Sequence, residues 1–231
     1  MNWLPPPAAP PLPDIVPVFP LPGLVFFPGT ILPLHVFEPR YRRMVKDARA
    51  GDNLIAMALF KPGWEPEYYG SPEVHPLGCC GRLIEVVELP DGRFNIKLAG
   101  VSRTLFLSFV DDSPYRTARI KAIPEHVPPE GDPAVVRAKA DLVCAYSGLT
   151  SVRTGETATG LEGAVSVPLH QLVNTLCAQV DLPAPIMQRL LGLDDLLDRC
   201  RAAADALRRQ TERARLARGK PHTPGGDGTV Q

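Results

Sequence analysis

Residues Val16–Met44 read VPVFPLPGLVFFPGTILPLHVFEPRYRRM, and from Ile15 to Phe37 there is not one Asp, Glu, Lys or Arg. A charge-free run of this length is first tested as a membrane span, which needs roughly 20 apolar residues. It fails that test, because Pro17, Pro20, Pro22, Pro28 and Pro33 would interrupt a spanning helix repeatedly. The composition instead predicts two short strands, Val16–Leu21 and Ile31–Val36, forming a hairpin through a turn at Phe26, Phe27, Pro28 and Gly29. Proline suits strand ends and edges, and glycine supplies the backbone freedom of a turn. The period then changes. Glu38-Pro39 opens a helix, with Pro39 in the tolerated first turn and Glu38 placed to favour the helix dipole. Tyr41, Met44, Val45 and Ala48 fall on one face, Arg40, Arg42, Arg43 and Lys46 lie off it, and Gly51 is the expected stop.

Two segments carry a family resemblance. PVFPLPGLVFFPGTILPLHVFEPRYRRMV (17–45) and, in the same order, GCCGRLIEVVELPDGRFNIKLAG (78–100) resemble the N-terminal, substrate-binding domain of Lon-type ATP-dependent proteases. The Phe-Glu-Pro-Arg-Tyr-Arg form of the motif is similar to that of stand-alone bacterial proteins built from this domain alone. The resemblance extends from Asp14 to Leu207. Its motif positions here are Phe19, Pro20, Leu21, Pro22, Phe27, Pro28, Gly29, Leu34, Phe37, Glu38, Pro39, Arg40 and Tyr41, with Gly81, Gly92 and Gly100 in the second segment. They are expected to be structural. The resemblance implies a PUA-like β-barrel followed by an α-helical bundle, an α+β chain that engages polypeptides, and it assigns no catalysis to Glu38 or Arg40.

The totals agree with such a module. The 231 residues carry 25 basic and 25 acidic side chains, so no overall field draws the chain to nucleic acid or an anionic membrane. Hydrophobic residues make up 45%, enough for a buried core. Proline, at 27 residues, is about twice its usual share. The cysteines (Cys79, Cys80, Cys144, Cys177, Cys200) are odd in number and lack a secretory context, which predicts free thiols and a cytoplasmic location. The first thirteen residues, MNWLPPPAAPPLP, have neither a basic region nor a continuous apolar one, so they do not read as a signal peptide. Six of them are proline, and an extended, polyproline-like leader is expected over 1–13.

Beyond the first helix, Asn53–Phe60 reads as a buried strand and 61–76 as a loop with an unusual aromatic group, Trp64, Tyr68 and Tyr69. The second motif predicts a hairpin: Arg82–Leu89, a turn at Pro90-Asp91-Gly92, then Phe94, Ile96 and Leu98 alternating with polar residues. Strand signals continue at Val101–Val110 and Tyr115–Ile123. Six or seven short strands suggest a closed or nearly closed barrel over 14–125. The prolines of 124–133 mark a linker or hinge, assigned to 126–133. Asp132-Pro133 then starts a helix expected to end near Ser147. A mobile loop is expected at 150–163, and three further apolar helical faces complete a bundle over 134–212. They are Leu169/Leu172/Val173/Leu176, Ile186/Met187/Leu190/Leu191 and Leu193/Leu196/Leu197/Cys200/Ala204/Leu207. A basic, Gly-containing tail, 213–231, is expected to be disordered. From Arg199 to Lys220 eight basic residues face only Asp205 and Glu212, which reads as a solvated helix end favoured by the dipole.

Catalytic signatures do not emerge. The only Gly-Lys pair, Gly219-Lys220, is followed by proline, so no phosphate-binding loop is written here, and no G-x-S-x-G elbow occurs. His75 and Cys79 lack a second ligand pair, the other histidines are scattered, and neither a metal nor another cofactor is expected. The reading is therefore a non-catalytic module for unfolded or specific client proteins, with an ATP-dependent protease as a further expected partner. Trp64, Tyr68 and Tyr69 are its first candidate surface, unless they fold back as a lid over the barrel. A groove between barrel and helices near 124–133 is the second. The alternatives are an RNA-binding PUA-like protein or a structural adaptor. Zero net charge and the lack of basic–aromatic interleaving argue against RNA.

Overall fold

The two strands within the charge-free run never meet. In the computed structural model, which describes residues 12–110, 114–155 and 163–218, β1 (Ile15–Leu21) lies between two other partners. Its first half pairs antiparallel with β6 (Arg116–Ile123), and its second half pairs parallel with β3 (Leu54–Leu59). β2 (Ile31–Val36) instead joins β5 (Phe94–Val110) in an antiparallel ladder. The expected hairpin is thus corrected, and the connecting residues show why. Phe26 and Phe27 are both buried, in different hydrophobic clusters, whereas a tight turn would have exposed them. The loop is also tied to β5, since Gly29 N–H donates to the Gly100 carbonyl (2.9 Å) and Gly100 N–H to that of Thr30 (2.8 Å). A Cβ on Gly100 would sit 2.2 Å from the Phe27 carbonyl oxygen, so only glycine permits this approach. The prolines of β1 fit a two-sided strand because its two ladders overlap only at Val18.

The six-stranded sheet has the order β2-β5-β4-β3-β1-β6, with β4 spanning Leu77–Glu88. β5 also pairs with β6, so the pairings run from β1 through β3, β4, β5 and β6 back to β1. What reads as two strands, 94–98 and 101–110, is one strand of 17 residues whose first half serves β2 and whose second half serves β6. Bulges at Cys80/Gly81, Leu83/Glu85 and Phe106/Ser108 bend these ladders. The helix α1 (Pro39–Ala50) buries Tyr41, Met44, Val45 and Ala48, the face given by its periodicity, and ends at Gly51. These side chains pack with Ile55, Met57 and Leu98 of the sheet.

Four more helices, α2 (Pro133–Thr154), α3 (Leu169–Gln179), α4 (Ala184–Leu191) and α5 (Leu196–Arg218), share one apolar core. Asp132 caps α2, its carboxylate accepting from Ala134 N–H at 2.7 Å. This helix passes the expected end at Ser147 and reaches Thr154, with Gly155 as its left-handed cap. Gly148 costs about 1 kcal/mol inside a helix, but Leu149, 2% exposed, offsets it by burial. The loop expected from residue 150 therefore does not include 150–154, and α5 continues through 213–218, which corrects the disordered tail expected from residue 213; residues 156–162 lie outside the described residues, as do 1–11 of the proline-rich leader and 219–231 of the tail. Among the described residues no helix is long and apolar enough to cross a membrane.

Sheet and helices are joined by buried polar contacts. Arg103 of β5 and Arg199 of α5 are both fully buried. Arg199 donates to the Glu125 carboxylate, to Asn174 Oδ1 (2.9 Å) and to the Leu193 carbonyl (2.6 Å). Arg103 donates to the carbonyls of Leu191 (3.1 Å) and Pro124 (2.6 Å), and pairs with Asp194 at 2.8 Å. Asn174 Nδ2 donates to the Pro28 carbonyl at 3.1 Å, and Phe27 enters the helical core. Arg199 thus does not belong to the solvated basic run in which its sequence neighbours place it. The segment read as a hinge is hydrogen-bonded to the start of α5, through His126 N–H to the Asp194 carbonyl (2.9 Å) and Leu196 N–H to that of His126 (3.1 Å).

Candidate functional site

The 61–76 loop leaves β3 and returns to it. Lys61 N–H donates to the Glu73 carbonyl (2.9 Å), His75 N–H to that of Leu59 (2.8 Å), and Lys61 and Glu73 form an ion pair at 2.8 Å. Between these ends a 3-10 turn, Glu65–Glu67, carries Pro66 in its first turn and sets the direction of the rings. Trp64 stacks on Phe60 with ring centroids 5.3 Å apart and planes at 13°. Tyr68 meets Trp64 edge-on at 5.6 Å, and Tyr69 meets Tyr68 at 5.1 Å. Trp64 and Tyr68 fold back against the sheet and are half-buried, whereas Tyr69 is 88% exposed. The three rings do not form one exposed surface. Two support, and one projects.

The motif residues 38–41 hold the loop. Tyr68 donates its hydroxyl to Glu38 Oε1, and the Tyr68 carbonyl accepts from Arg40 Nη2 at 3.3 Å. Arg40 Nε donates to Glu38 Oε2 at 3.1 Å, within an ion pair of 3.0 Å. The Arg40 guanidinium lies 4.6 Å from the ring centroid of Tyr41, 5.1 Å from that of Tyr68 and 6.0 Å from that of Tyr69. Glu38 makes no side-chain cap to α1. Its carboxylate instead binds the Arg40 guanidinium two residues on and the Tyr68 phenol 30 residues away. No spacing rule reveals that pairing, because it crosses from helix to loop.

These groups border a cleft of about 240 Å³, lined by Pro20, Arg40, Tyr41, Tyr69, Pro72, Tyr115 and their neighbours. Burial pushes the Tyr41 phenol up to about 12, with Glu38 reinforcing and Arg40 opposing the shift. Burial also raises Tyr68, helped by its bond to the Glu38 carboxylate. Tyr115 donates to Asp47 Oδ2 at 2.9 Å, and the hydrogen bond from Arg43 holds Asp47 below the usual carboxylate range. Two larger hollows adjoin the cleft around Pro72, one of about 360 Å³ toward Phe109 and one of about 450 Å³ toward Trp64.

The remaining motif residues are scattered through the frame. Phe19 packs on Tyr41 at 4.3 Å. Pro20 rims the cleft, Leu21 and Leu34 are half-buried, and Pro22 and Phe37 are exposed. Phe27, Pro28, Gly29 and Gly100 make the sheet-to-helix tie. A Cβ on Gly81 would meet Phe26, and Gly92 supplies the positive φ of the β4–β5 turn. At the junction near Pro124, where a second groove is expected, the space is filled by Arg103, Arg199 and Glu125. Four cysteines are buried and free, Cys144 is exposed and free, and among the described residues no cluster of three metal-ligating side chains occurs.

Comparison with known proteins gives a consistent result. A model of the ATP-dependent protease La (LON) substrate-binding domain family matches residues 15–209. Lon protease 2 of Myxococcus xanthus is 25% identical over 212 residues, covering 89% of this chain and 25% of its own length. The Lon protease of Anaeromyxobacter dehalogenans is 27% identical over 209 residues, covering 89% and 24%. The chain thus spans about a quarter of these curated relatives. Among solved structures, the N-terminal domain of Mycobacterium avium complex Lon protease superposes with a TM-score of 0.61 at 18% identity, over 84% of this chain and 97% of that one. A Lon N-terminal domain protein from Xanthomonas campestris gives 0.53 at 19% identity, over 80% and 94%.

Proposed function

The chain belongs to the ATP-dependent protease La (LON) substrate-binding domain family, and from that premise we propose that it is a non-catalytic module that binds unfolded or partner polypeptides at the Tyr69 cleft. The observation that carries the reading is the projection of Tyr69 beside Arg40 and Tyr41. The family motif and the aromatic loop, far apart in sequence, thereby contribute to one concave surface. An exposed aromatic ring beside a preformed cleft is the kind of surface that anchors an extended chain. The half-buried Trp64 and Tyr68 stiffen its wall rather than contact the client.

The strand pairings that return on themselves favour a small PUA-like barrel over 14–125, and the shared core of α2, α3, α4 and α5 favours a helical bundle over 134–212. In this arrangement 126–133 connects its parts. The full-length relatives are named Lon proteases, and a partnership with an ATP-dependent protease in the cytoplasm is the natural setting for such a module.

Fluorescence anisotropy with a labelled, permanently unfolded polypeptide tests the reading, with single-stranded RNA of similar length as control. Saturable polypeptide binding that persists at about 0.3 M salt and weakens roughly three- to tenfold in Tyr69→Ala is expected. Binding to RNA alone, collapsing with salt, would transfer the chain to the nucleic-acid class. Ion pairs of Arg208 with Asp141 (3.6 Å) and Asp205 (3.2 Å) already occupy part of the basic surface that RNA would need.

A further inference from the structure

We propose that the open edge of β2 takes up an extended, uncharged segment of a partner polypeptide as an added strand. None of the β2 residues lines the Tyr69 cleft, so this surface is independent of that one. Among the described strands β2 alone has a single neighbour, whereas β1, β3, β4, β5 and β6 each pair with at least two others. The bond from Gly100 N–H to the Thr30 carbonyl (2.8 Å) fixes the parity of the β2–β5 ladder. Leu32, Leu34 and Val36 turn their backbone groups to β5, and Ile31, Pro33 and His35 turn theirs away. Those outward groups bond to no described residue. Pro33 is tolerated within the ladder for this reason, since the N–H it lacks would lie on the open side. The edge thus presents the carbonyls of Ile31, Pro33 and His35 and the N–H donors of Ile31 and His35. Another extended backbone is what matches that pattern.

The surroundings define the occupant. Soluble proteins blunt an edge strand with lysines, inward-pointing charges, bulges or proline. β2 lies within the charge-free run and carries only Pro33. Its outer side is apolar at both ends, with Ile31 63% exposed and, just past the strand, Phe37 60% exposed. Opposite it on β5 stand Ala99, Asn95 and Lys97, the last already paired with Glu85 at 2.7 Å. On the other face Leu32 and Leu34 pack against the core yet stay half-buried, and alternate apolar residues of an added strand would cover them. A second copy fits less well. The two-fold pairing that uses both Ile31 and His35 sets Pro33 against Pro33, so both central donors are missing, whereas a foreign strand loses only the one bond from Pro33. The chain's own first thirteen residues, six of them proline, are short of the N–H groups that these carbonyls would accept from.

Amide hydrogen exchange and fluorescence anisotropy on the full chain provide the test. The probe is a short fluorescein-labelled peptide of alternating threonine and valine, uncharged and strand-forming. Its control is the same peptide with the central backbone nitrogens methylated. In the free protein the Ile31 and His35 amides should exchange fast and those of Leu32, Leu34 and Val36 slowly, and saturating peptide should slow the first pair. Binding should be unchanged between about 0.05 M and about 0.3 M salt, and methylation should weaken it about tenfold or more. Ile31→Lys should weaken it by up to about fivefold. Pro33→Ala restores the missing donor and should strengthen it roughly two- to tenfold, which apolar contact alone would not do. Both positions are exposed, and circular dichroism verifies the fold of each variant. Equal binding of the methylated peptide, binding that leaves the Ile31 and His35 amides fast, or no binding at all overturns strand addition. Slow exchange of those amides without peptide also overturns it, assigning the edge to a second copy if the protection grows with protein concentration and to this chain itself if it does not.

Discussion

At the scale of single residues, burial sets the chemistry of Tyr41. Its side chain is 3% exposed, and desolvation raises the phenol from 10.0 to about 12. Between those values the unfolded chain has released the proton while the folded chain still holds it, so stability must fall as pH rises. The contribution is intact below pH 10.0 and is gone above about 12. A shift of this size corresponds to roughly 2–3 kcal/mol. Urea unfolding at increasing alkalinity should show the loss, and Tyr41→Phe should remove that part of the pH dependence. The buried thiols of Cys80, Cys177 and Cys200, also pushed up to about 12, add to the same slope and survive in the variant. Residue-level reading from sequence reached the burial of Tyr41 through its helical period. It missed the Glu38–Tyr68 bond, because a carboxylate at a helix start reads as a cap until a distant phenol is known to approach it.

At the scale of elements, the decisive contact is the approach of the 22–30 loop to β5. This loop carries the chain away from β1 and delivers β2 to the far edge of the sheet. Gly100→Ala would place a methyl 2.2 Å from the Phe27 carbonyl oxygen, a backbone atom without room to retreat. A cost of about 1–3 kcal/mol or more is expected, read as a lowered urea midpoint with an unchanged slope. The strands themselves, α1 and the apolar faces of the later helices were legible, since each follows from local periodicity. Pairing partners were not. Two adjacent strand-like runs look like a hairpin to any local rule, and only the competing burial of Phe26 and Phe27 decides otherwise. The same logic lengthened α2, where Leu149 enters the core beyond a glycine that local propensity treats as an end.

At the scale of the molecule, Arg103 and Arg199 join strands to helices through Glu125, Asp194 and a set of backbone carbonyls. Each arginine brings a desolvated charge, and removing one member strands the others. Glu125→Ala should therefore cost about 3–5 kcal/mol, measured by urea unfolding. A double-mutant cycle between Glu125→Ala and Arg199→Met should show strong coupling, because the second change removes part of the orphaned charge. An additive result would mean that the joint does not act as a unit.

The sequence by itself determined the family, the α+β class and the position of most strands and helices; of the residues around the cleft it singled out Pro20, Arg40, Tyr41, Tyr68 and Tyr69 but not Pro72 or Tyr115. These are matters of composition, period and motif, which are local and survive without coordinates. Tertiary structure alone decided that β1 and β2 part, that Trp64 and Tyr68 support while Tyr69 projects, and that Arg199 is core rather than surface. Those outcomes depend on which groups from distant segments can satisfy each other once apolar area has left water. Hydrogen-bond satisfaction and burial are properties of the whole packed chain, and no window along the sequence contains them.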